Sequence, residues 1–360
     1  MSPAHSIRST ASVLSPGVGR SPVATPASKE KWIGCLVGQC IGDAVGAPVE
    51  GLPPKDCKRH AEKVLRQGLL DDTFLGQSRF GQYTDDSQLA RELLLGLTEH
   101  GRLDVADYAA RITRLFMSGE VVGAGKATAE VARRLASGVA PDEAGIAAPS
   151  AGNGSAMRAA PIGLWYADDP SALIAAAREQ SRITHQDVRC AAGAVAVAGA
   201  VALSLRGRPI VTEPFLAELS EWVRCIDQTV AFDVYQISSW VTLSPDAAVT
   251  FMARAGLCPG FDGEWAGISG YVVPSVLWSL YSFLRSPDDF VQTIETAVAV
   301  GGDVDTTAAM AGAMSGAYLS VSALPQTLCE RLTDQGRWGF AELTALAGQA
   351  HAAWQDRSSK

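Results

Sequence analysis

The stretch KWIGCLVGQCIGDAVGAPVEG, residues 31–51, decides how the chain is read. Gly34, Gly38, Gly42 and Gly46 recur every four residues and so form a ridge along one helix face. Each internal glycine costs roughly 1 kcal/mol against alanine. Four in register therefore predict that a second backbone approaches this face closely. Gly312 and Gly316 form a shorter ridge of the same spacing in the Ala/Met-rich stretch 307–319. The two stretches are expected to be helices that cross at their glycines.

Helical spacing recurs in Leu89-Leu93-Leu97, in Val105-Ala109-Ile112-Leu115-Phe116 and in Val276-Leu280-Phe283-Leu284. Alternating β-branched runs are scarce. The expected fold class is all-α: one large orthogonal or bundle-like helical domain, joined by Gly/Pro/Asp loops. The apolar run from Cys190 to Leu205 lies between Arg189 and Arg206. It is shorter than the ~20 residues a membrane span needs and reads as a buried core helix. The run from Trp32 to Val49 carries Gln39 and Asp43 and is not read as a span either.

A hydrophobic content of 47% over 360 residues is ample for a core. The net charge of -8 leaves no basic stripe to displace counterions, which argues against nucleic acid as a partner. Seven cysteines, with no C-x-x-C pair and an odd count, argue against a disulfide framework or a zinc site. They are expected to be buried, reduced thiols. Residues 1–29 are rich in Ser and Pro and hold no acidic residue. Such a leader is expected to be disordered. The other readings of it are organelle import or export of a secreted effector. Residues 30–356 show no second linker and read as one domain. The expectation is a cytoplasmic monomer without a membrane partner.

Chemistry-bearing residues cluster in a few segments. Thr84-Asp85-Asp86-Ser87 opens a helix, where acidic residues are common caps favoured by the macrodipole. Asp85 and Asp86, however, lead into an apolar stripe, and carboxylates aimed at a core need a cation or several donors. Gly301-Gly302-Asp303-Val304-Asp305-Thr306-Thr307 enters a second, very apolar helix and offers Asp303, Asp305 and the Thr306 hydroxyl. The combined oxygen-only set suits Mg²⁺ or Mn²⁺ rather than zinc, and two such ions would neutralise four carboxylates. Glu50 follows a proline and precedes Gly51, which places it in a mobile loop beyond a helix. Gly152-Asn153-Gly154-Ser155 is a turn whose backbone N–H groups suit an anion such as a diphosphate. Thr184-His185 holds the one histidine found inside such a segment.

These segments occur in a fixed order: Gly38-x-x-x-Gly42-Asp43-Ala44-x-Gly46-x-x-x-Glu50, Thr84-Asp85-Asp86-Ser87, Gly152-Asn153-Gly154-Ser155-x-Met157-Arg158, Thr184-His185 and Gly302-Asp303-x-Asp305-Thr306. In that order the sequence resembles the ADP-ribosylglycohydrolase family, which includes dinitrogenase reductase-activating glycohydrolase. Gly123-Ala124-Gly125 leading to Thr128, and Gly270-Tyr271-Val272-Val273, are fainter matches. Ser87 stands where the family often has Thr, which keeps a hydroxyl.

The resemblance implies an all-α domain with a two-Mg²⁺ centre held by Thr84, Asp85, Asp86, Asp303, Asp305 and Thr306. It implies that Gly152, Asn153, Gly154 and Ser155 line an ADP-ribose groove, with His185 and Tyr271 near the diphosphate and ribose. It implies that Glu50, Asp85 and Asp303 carry the catalysis, Glu50 in a loop that gates the site in some members. The implied activity is hydrolysis of ADP-ribosylated protein, arginine linkage first and serine second, with ADP-ribose as product. The rival expectations are a catalytically silent binder of ADP-ribosyl groups or a structural relative, and a hydrolase of a small ADP-ribose metabolite.

Overall fold

In the computed structural model, which describes residues 28–70, 80–257 and 266–357, the glycine stretch forms helix α1 (Lys29–Gly46). The expected partner is α15 (Val304–Leu319). A Cβ placed on Gly34, Gly38, Gly42 or Gly46 would lie under 3.0 Å from the backbone of Gly316, Gly312, Ala308 or Asp305 respectively. Rising numbers on α1 meet falling numbers on α15, so the pair is antiparallel. This register places the C-terminal end of α1, with Asp43 and the turn to Glu50, against the N-terminal end of α15, with Asp303 and Asp305. The ridge that holds the core together therefore also assembles the site.

The other helices pack around this axis. The first group is α2 (Pro54–Ala61), α3 (Asp85–His100), α4 (Val105–Met117), α5 (Lys126–Ala136), α6 (Pro141–Ala144) and α7 (Ala160–Trp165). The middle group is α8 (Pro170–Arg182), α9 (Val188–Ser204), α10 (Thr212–Arg224), α11 (Gln228–Trp240) and α12 (Pro245–Met252). The last is α13 (Val272–Arg285), α14 (Phe290–Ala299), α16 (Gln326–Cys329) and α17 (Phe340–Arg357). Among the described residues there is no β-strand, only isolated bridges. The fold class is all-α, as the periodicity predicts.

α1 is long and apolar enough by composition to cross a membrane, but 89% of its most apolar window is buried inside the fold. One face lies on α15, and Trp32 on another face meets Trp165 edge-on at 6.2 Å and Trp354 of α17 at 5.8 Å. α9 is buried all round because α7, α8, α10, α13 and α15 pack against it. That accounts for its small residues, since a ring of neighbours leaves no room for long side chains. Cys35, Cys40, Cys57, Cys190 and Cys329 are free and buried, whereas Cys225 is exposed. Cys258 and the leader residues 1–27 lie outside the described residues.

Candidate active site

The site begins with the start of α3. Thr84 has extended backbone and caps the helix, its Oγ1 accepting from the Asp86 N–H at 3.4 Å and donating to Asp86 Oδ2 at 3.0 Å. A second cap comes from α1. The fully buried Asp43 carboxylate accepts the Thr84 N–H at 2.9 and 3.1 Å and the Ser87 N–H at 3.1 Å. Asp43 thus takes up backbone donors that a helix N-terminus leaves orphaned. Asp85 and Asp86 are released from that task. Asp85 Oδ2 accepts the Gly125 N–H at 3.2 Å, which ties the loop before α5 to α3. Asp86 Oδ1 is buried with no partner.

The start of α15 is built differently. The Asp303 N–H donates to Ile268 O at 2.8 Å, while its carboxylate makes no cap bond. Asp303 Oδ2 instead accepts from Asn153 Nδ2 at 2.6 Å, and Asn153 Nδ2 also reaches Ser275 Oγ at 3.0 Å. Asp305 Oδ1 accepts the Thr306 N–H at 2.9 Å. Glu50 follows a short 3-10 turn, Ala47–Val49, and keeps an exposed edge. Its loop was expected to be mobile, yet backbone bonds clamp it to the turn before Asp303. The Gly51 N–H donates to Gly302 O at 2.8 Å and the Gly302 N–H to Leu52 O at 3.1 Å.

These segments line one cleft of about 390 Å³. Its lining includes Glu50, Asp85, Asp86, Asp303, Asp305 and Thr306 together with Gly152, Asn153, Gly154 and His185. Glu50, Asp303 and Asp305 bring carboxylate oxygens within 4.8 Å of one another. Among the described residues none of the cleft carboxylates has an ion-pair partner. Burial, then the neighbouring carboxylates, pushes the Asp86 and Asp305 carboxyls well above the ordinary range. Burial, with Asp303 and Asp43 adding to it, raises Glu50 to about 7. Burial also raises Asp85 to about 8 despite the Gly125 N–H. Such a set of unpaired charges is what a bound divalent cation would compensate. The donors are all oxygen, and Asp86 Oδ1 is a buried acceptor still to be satisfied, so the residues fit Mg²⁺ or Mn²⁺.

Three of the expected site residues do not line the cleft. Thr84 lies one residue behind, as the cap. Tyr271 sits beside Gly152 in a short antiparallel bridge, with the Arg189 guanidinium 5.3 Å over its ring. The Ser155 hydroxyl is turned into the core, accepting from Ser181 Oγ at 2.8 Å and donating to Cys190 O at 3.3 Å. This corrects the expectation for its side chain, since Ser155 anchors the loop from behind. The fainter matches do reach the cleft, through Gly123, Ala124, Gly125, Thr128 and Gly270. Lys126 and Met157 join them and were not foreseen. Nor was the role of Asp43.

A model of the family described as ADP-ribosylglycohydrolase matches residues 24–360. The chain belongs to the ADP-ribosylglycohydrolase family. It is 29% identical to the ADP-ribosylhydrolase ARH3 of Homo sapiens, covering 91% of this chain and 94% of that protein. It is 26% identical to the ADP-ribosylarginine hydrolase Tri1 of Pseudomonas putida, covering 86% of this chain and 80% of that protein. A solved structure titled "ADP-ribosylglycohydrolase-related protein complex" superposes with a TM-score of 0.68 at 28% identity, over 90% of this chain and 98% of that one. As a family member the chain is an enzyme, a glycosyl hydrolase. ADP-ribosylglycohydrolases are metal-dependent in general, in keeping with the acidic cleft.

Proposed function

We propose that the chain is a Mg²⁺-dependent hydrolase that cleaves the glycosidic bond between ADP-ribose and an arginine side chain of a modified protein. The observation that carries this reading is the meeting of two acidic stretches, from α3 and α15, with Glu50 on one cleft, with no ion-pair partner for these carboxylates among the described residues. The similarity to the ADP-ribosylarginine hydrolase Tri1 supports arginine as the linkage.

In this reading Thr84, Asp85, Asp86, Asp303, Asp305 and Thr306 would hold two Mg²⁺ ions, Thr84 through the tie of its hydroxyl to Asp86. When bound, the ions supply Lewis-acid polarisation of sugar and water oxygens. The chain's own groups do the rest. Gly152, Asn153, Gly154 and His185 hold the ADP-ribose, with Tyr271 beside them at the rim. The negative charge of Asp85 and Asp303 favours an oxocarbenium-like transition state at the anomeric carbon. Glu50, half in solvent and raised to about 7 by burial, takes a proton from the attacking water. The water oxygen becomes the new anomeric hydroxyl, the carbon–nitrogen bond to the guanidinium breaks, and the leaving nitrogen regains a proton.

Release of labelled ADP-ribose from arginine-modified and serine-modified protein tests this. The expected result is Mg²⁺-dependent release from the arginine substrate, lost in Asp303→Ala with helical circular dichroism retained. Turnover undiminished in excess EDTA would sink the metal reading. Release from the serine substrate alone would replace the linkage. A melting shift with ADP-ribose but no turnover on either would indicate a binder.

A further inference from the structure

His185 is pinned by its neighbours on both sides. The Thr184 carbonyl accepts the Ile146 N–H at 2.9 Å, and the Gln186 N–H donates to Ile146 O at 2.8 Å. The ring edge lies against the glycine loop of the cleft. A Cβ on Gly154 would sit 3.0 Å from Cε1, and one on Gly152 would sit 3.4 Å from Nε2. Nε2 therefore faces the cleft, and Nδ1 is turned back into the wall, 2.8 Å from Thr184 Oγ1. That hydroxyl is fully buried and also accepts from Arg158 Nη2 at 2.8 Å. Arg158 is itself fully buried and held by Gln180, through Nε to Oε1 at 2.9 Å and Nη2 to the backbone O at 3.0 Å.

A guanidinium only donates, so the direction of the Arg158–Thr184 bond is settled by chemistry. The Thr184 hydroxyl has one proton to give, and among the described residues its other partner is His185 Nδ1. A proton on Nδ1 would make two donors converge on the same oxygen and leave a buried O–H without an acceptor, at the cost of its desolvation. Nδ1 is therefore the acceptor, and the ring proton sits on Nε2. The doubly protonated ring is opposed by burial and then by the Arg158 charge, which together lower His185 to about 3.

We propose that Thr184, anchored by Arg158, is a positioning residue that fixes His185 as a neutral Nε2–H donor aimed into the cleft. The ligand group it suits is an anionic oxygen, a diphosphate oxygen of ADP-ribose; that identity, though not the lock itself, rests on the proposed function. The lock matters because the same cleft is lined with carboxylates. An imidazole free to ionise would be drawn to them, and one free to change tautomer would present a lone pair to the ligand.

Side-chain ¹⁵N NMR of the histidine-labelled full chain reads the tautomer directly, with His185→Gln assigning the signal. The expected spectrum has a proton on Nε2 and a pyridine-like Nδ1. Thr184→Val should give a tautomer mixture and weaken ADP-ribose binding about tenfold by calorimetry, the effect of one hydrogen bond. Thr184→Ser should restore the Nε2–H form. An Nδ1–H ring in the unmodified protein overturns the proposal even if no variant folds, and so does an unchanged Nε2–H form in Thr184→Val. The predicted tautomers in a chain that binds no ADP-ribose would uphold the lock and reject the ADP-ribose reading.

Discussion

The helices α3 and α15 both open on the cleft with acidic residues, and they free those residues in opposite ways. At α3 the capping is done by Thr84 and, from α1, by the Asp43 carboxylate. At α15 the N-cap residue Asp303 makes no cap bond and is tied sideways to Asn153, while Asp305 takes the N–H of the next residue, Thr306. A carboxylate that caps its own helix has little left to offer a ligand. The first helix delegates the cap, and the second leaves its N-cap carboxylate out of it. In both, the carboxylates facing the cleft have no ion-pair partner among the described residues.

The largest expected effect comes from cutting into that charge. Asp86→Asn and Asp305→Asn should each lower turnover about a thousandfold, the scale of several kcal/mol of lost charge stabilisation. The metal-free fold should respond in the opposite sense and melt higher than the unmodified chain, because a buried like charge is gone. The unmodified protein should gain about 2.7 kcal/mol at Mg²⁺ a hundredfold above its Kd, and these variants far less. The pH dependence follows with its sign. Asp85, raised to about 8, and Glu50, raised to about 7, bind protons more tightly folded than unfolded. Without metal, stability should rise as pH falls from about 8 toward the ordinary carboxylate range, and saturating Mg²⁺ should reverse that trend. Melting curves in EDTA that fall steadily over that window would contradict the uncompensated-charge account.

Next comes the ridge that sets α1 and α15 in register. Gly38→Val puts a side chain where Gly312 carbonyl oxygen already lies, under 3.0 Å from any Cβ. The cost should be about 3 kcal/mol or more, at the upper end of overpacking, read as a lower urea midpoint. Unlike Asp305→Asn, it should lower the melting temperature with and without Mg²⁺. Equal stability of Gly38→Val and the unmodified chain would mean that the two helices are not held backbone to backbone.

Much of this was legible in the chain. Glycines four apart predict a close crossing because helix geometry alone puts them on one face, and the partner ridge at Gly312 and Gly316 carried the same spacing. The five ordered motifs located the cleft because each is a local run. What stayed hidden depends on contacts between distant segments. Nothing in the spacing around Asp43 tells that it caps a helix beginning at Asp85. Ser155 shares a run with Asn153, yet one turn of backbone sends its hydroxyl inward to Ser181 and Cys190. The Glu50 loop reads as mobile from its proline and glycine, and only the fold reveals the backbone bonds from Gly51 and Gly302.

Asn153 tests the sideways tie at α15. Asn153→Ala removes the donor to Asp303 Oδ2 and keeps every proposed metal ligand. Groups that orient a ligand in this way typically change metal affinity by 10- to 100-fold, and calorimetry of Mg²⁺ binding should show a loss in that range. If the affinity holds while ADP-ribose binding collapses, Asn153 serves the sugar and not the carboxylate.

The smallest effect is expected at the delegated cap of α3. Asp43→Asn keeps one oxygen but sets an amide nitrogen, which cannot accept, against backbone N–H groups of Thr84 and Ser87. Part of that loss is offset, since a fully buried carboxylate that burial already raises to about 6 is exchanged for a neutral group. The net destabilisation should be about 1 kcal/mol, the usual worth of a cap. Mg²⁺ affinity should fall as well, because Asp85 and Asp86 hang on the turn that Asp43 holds. A variant with unchanged Mg²⁺ affinity would show that Thr84 alone orients that turn, and the contrast between the two helix starts would lose its functional meaning.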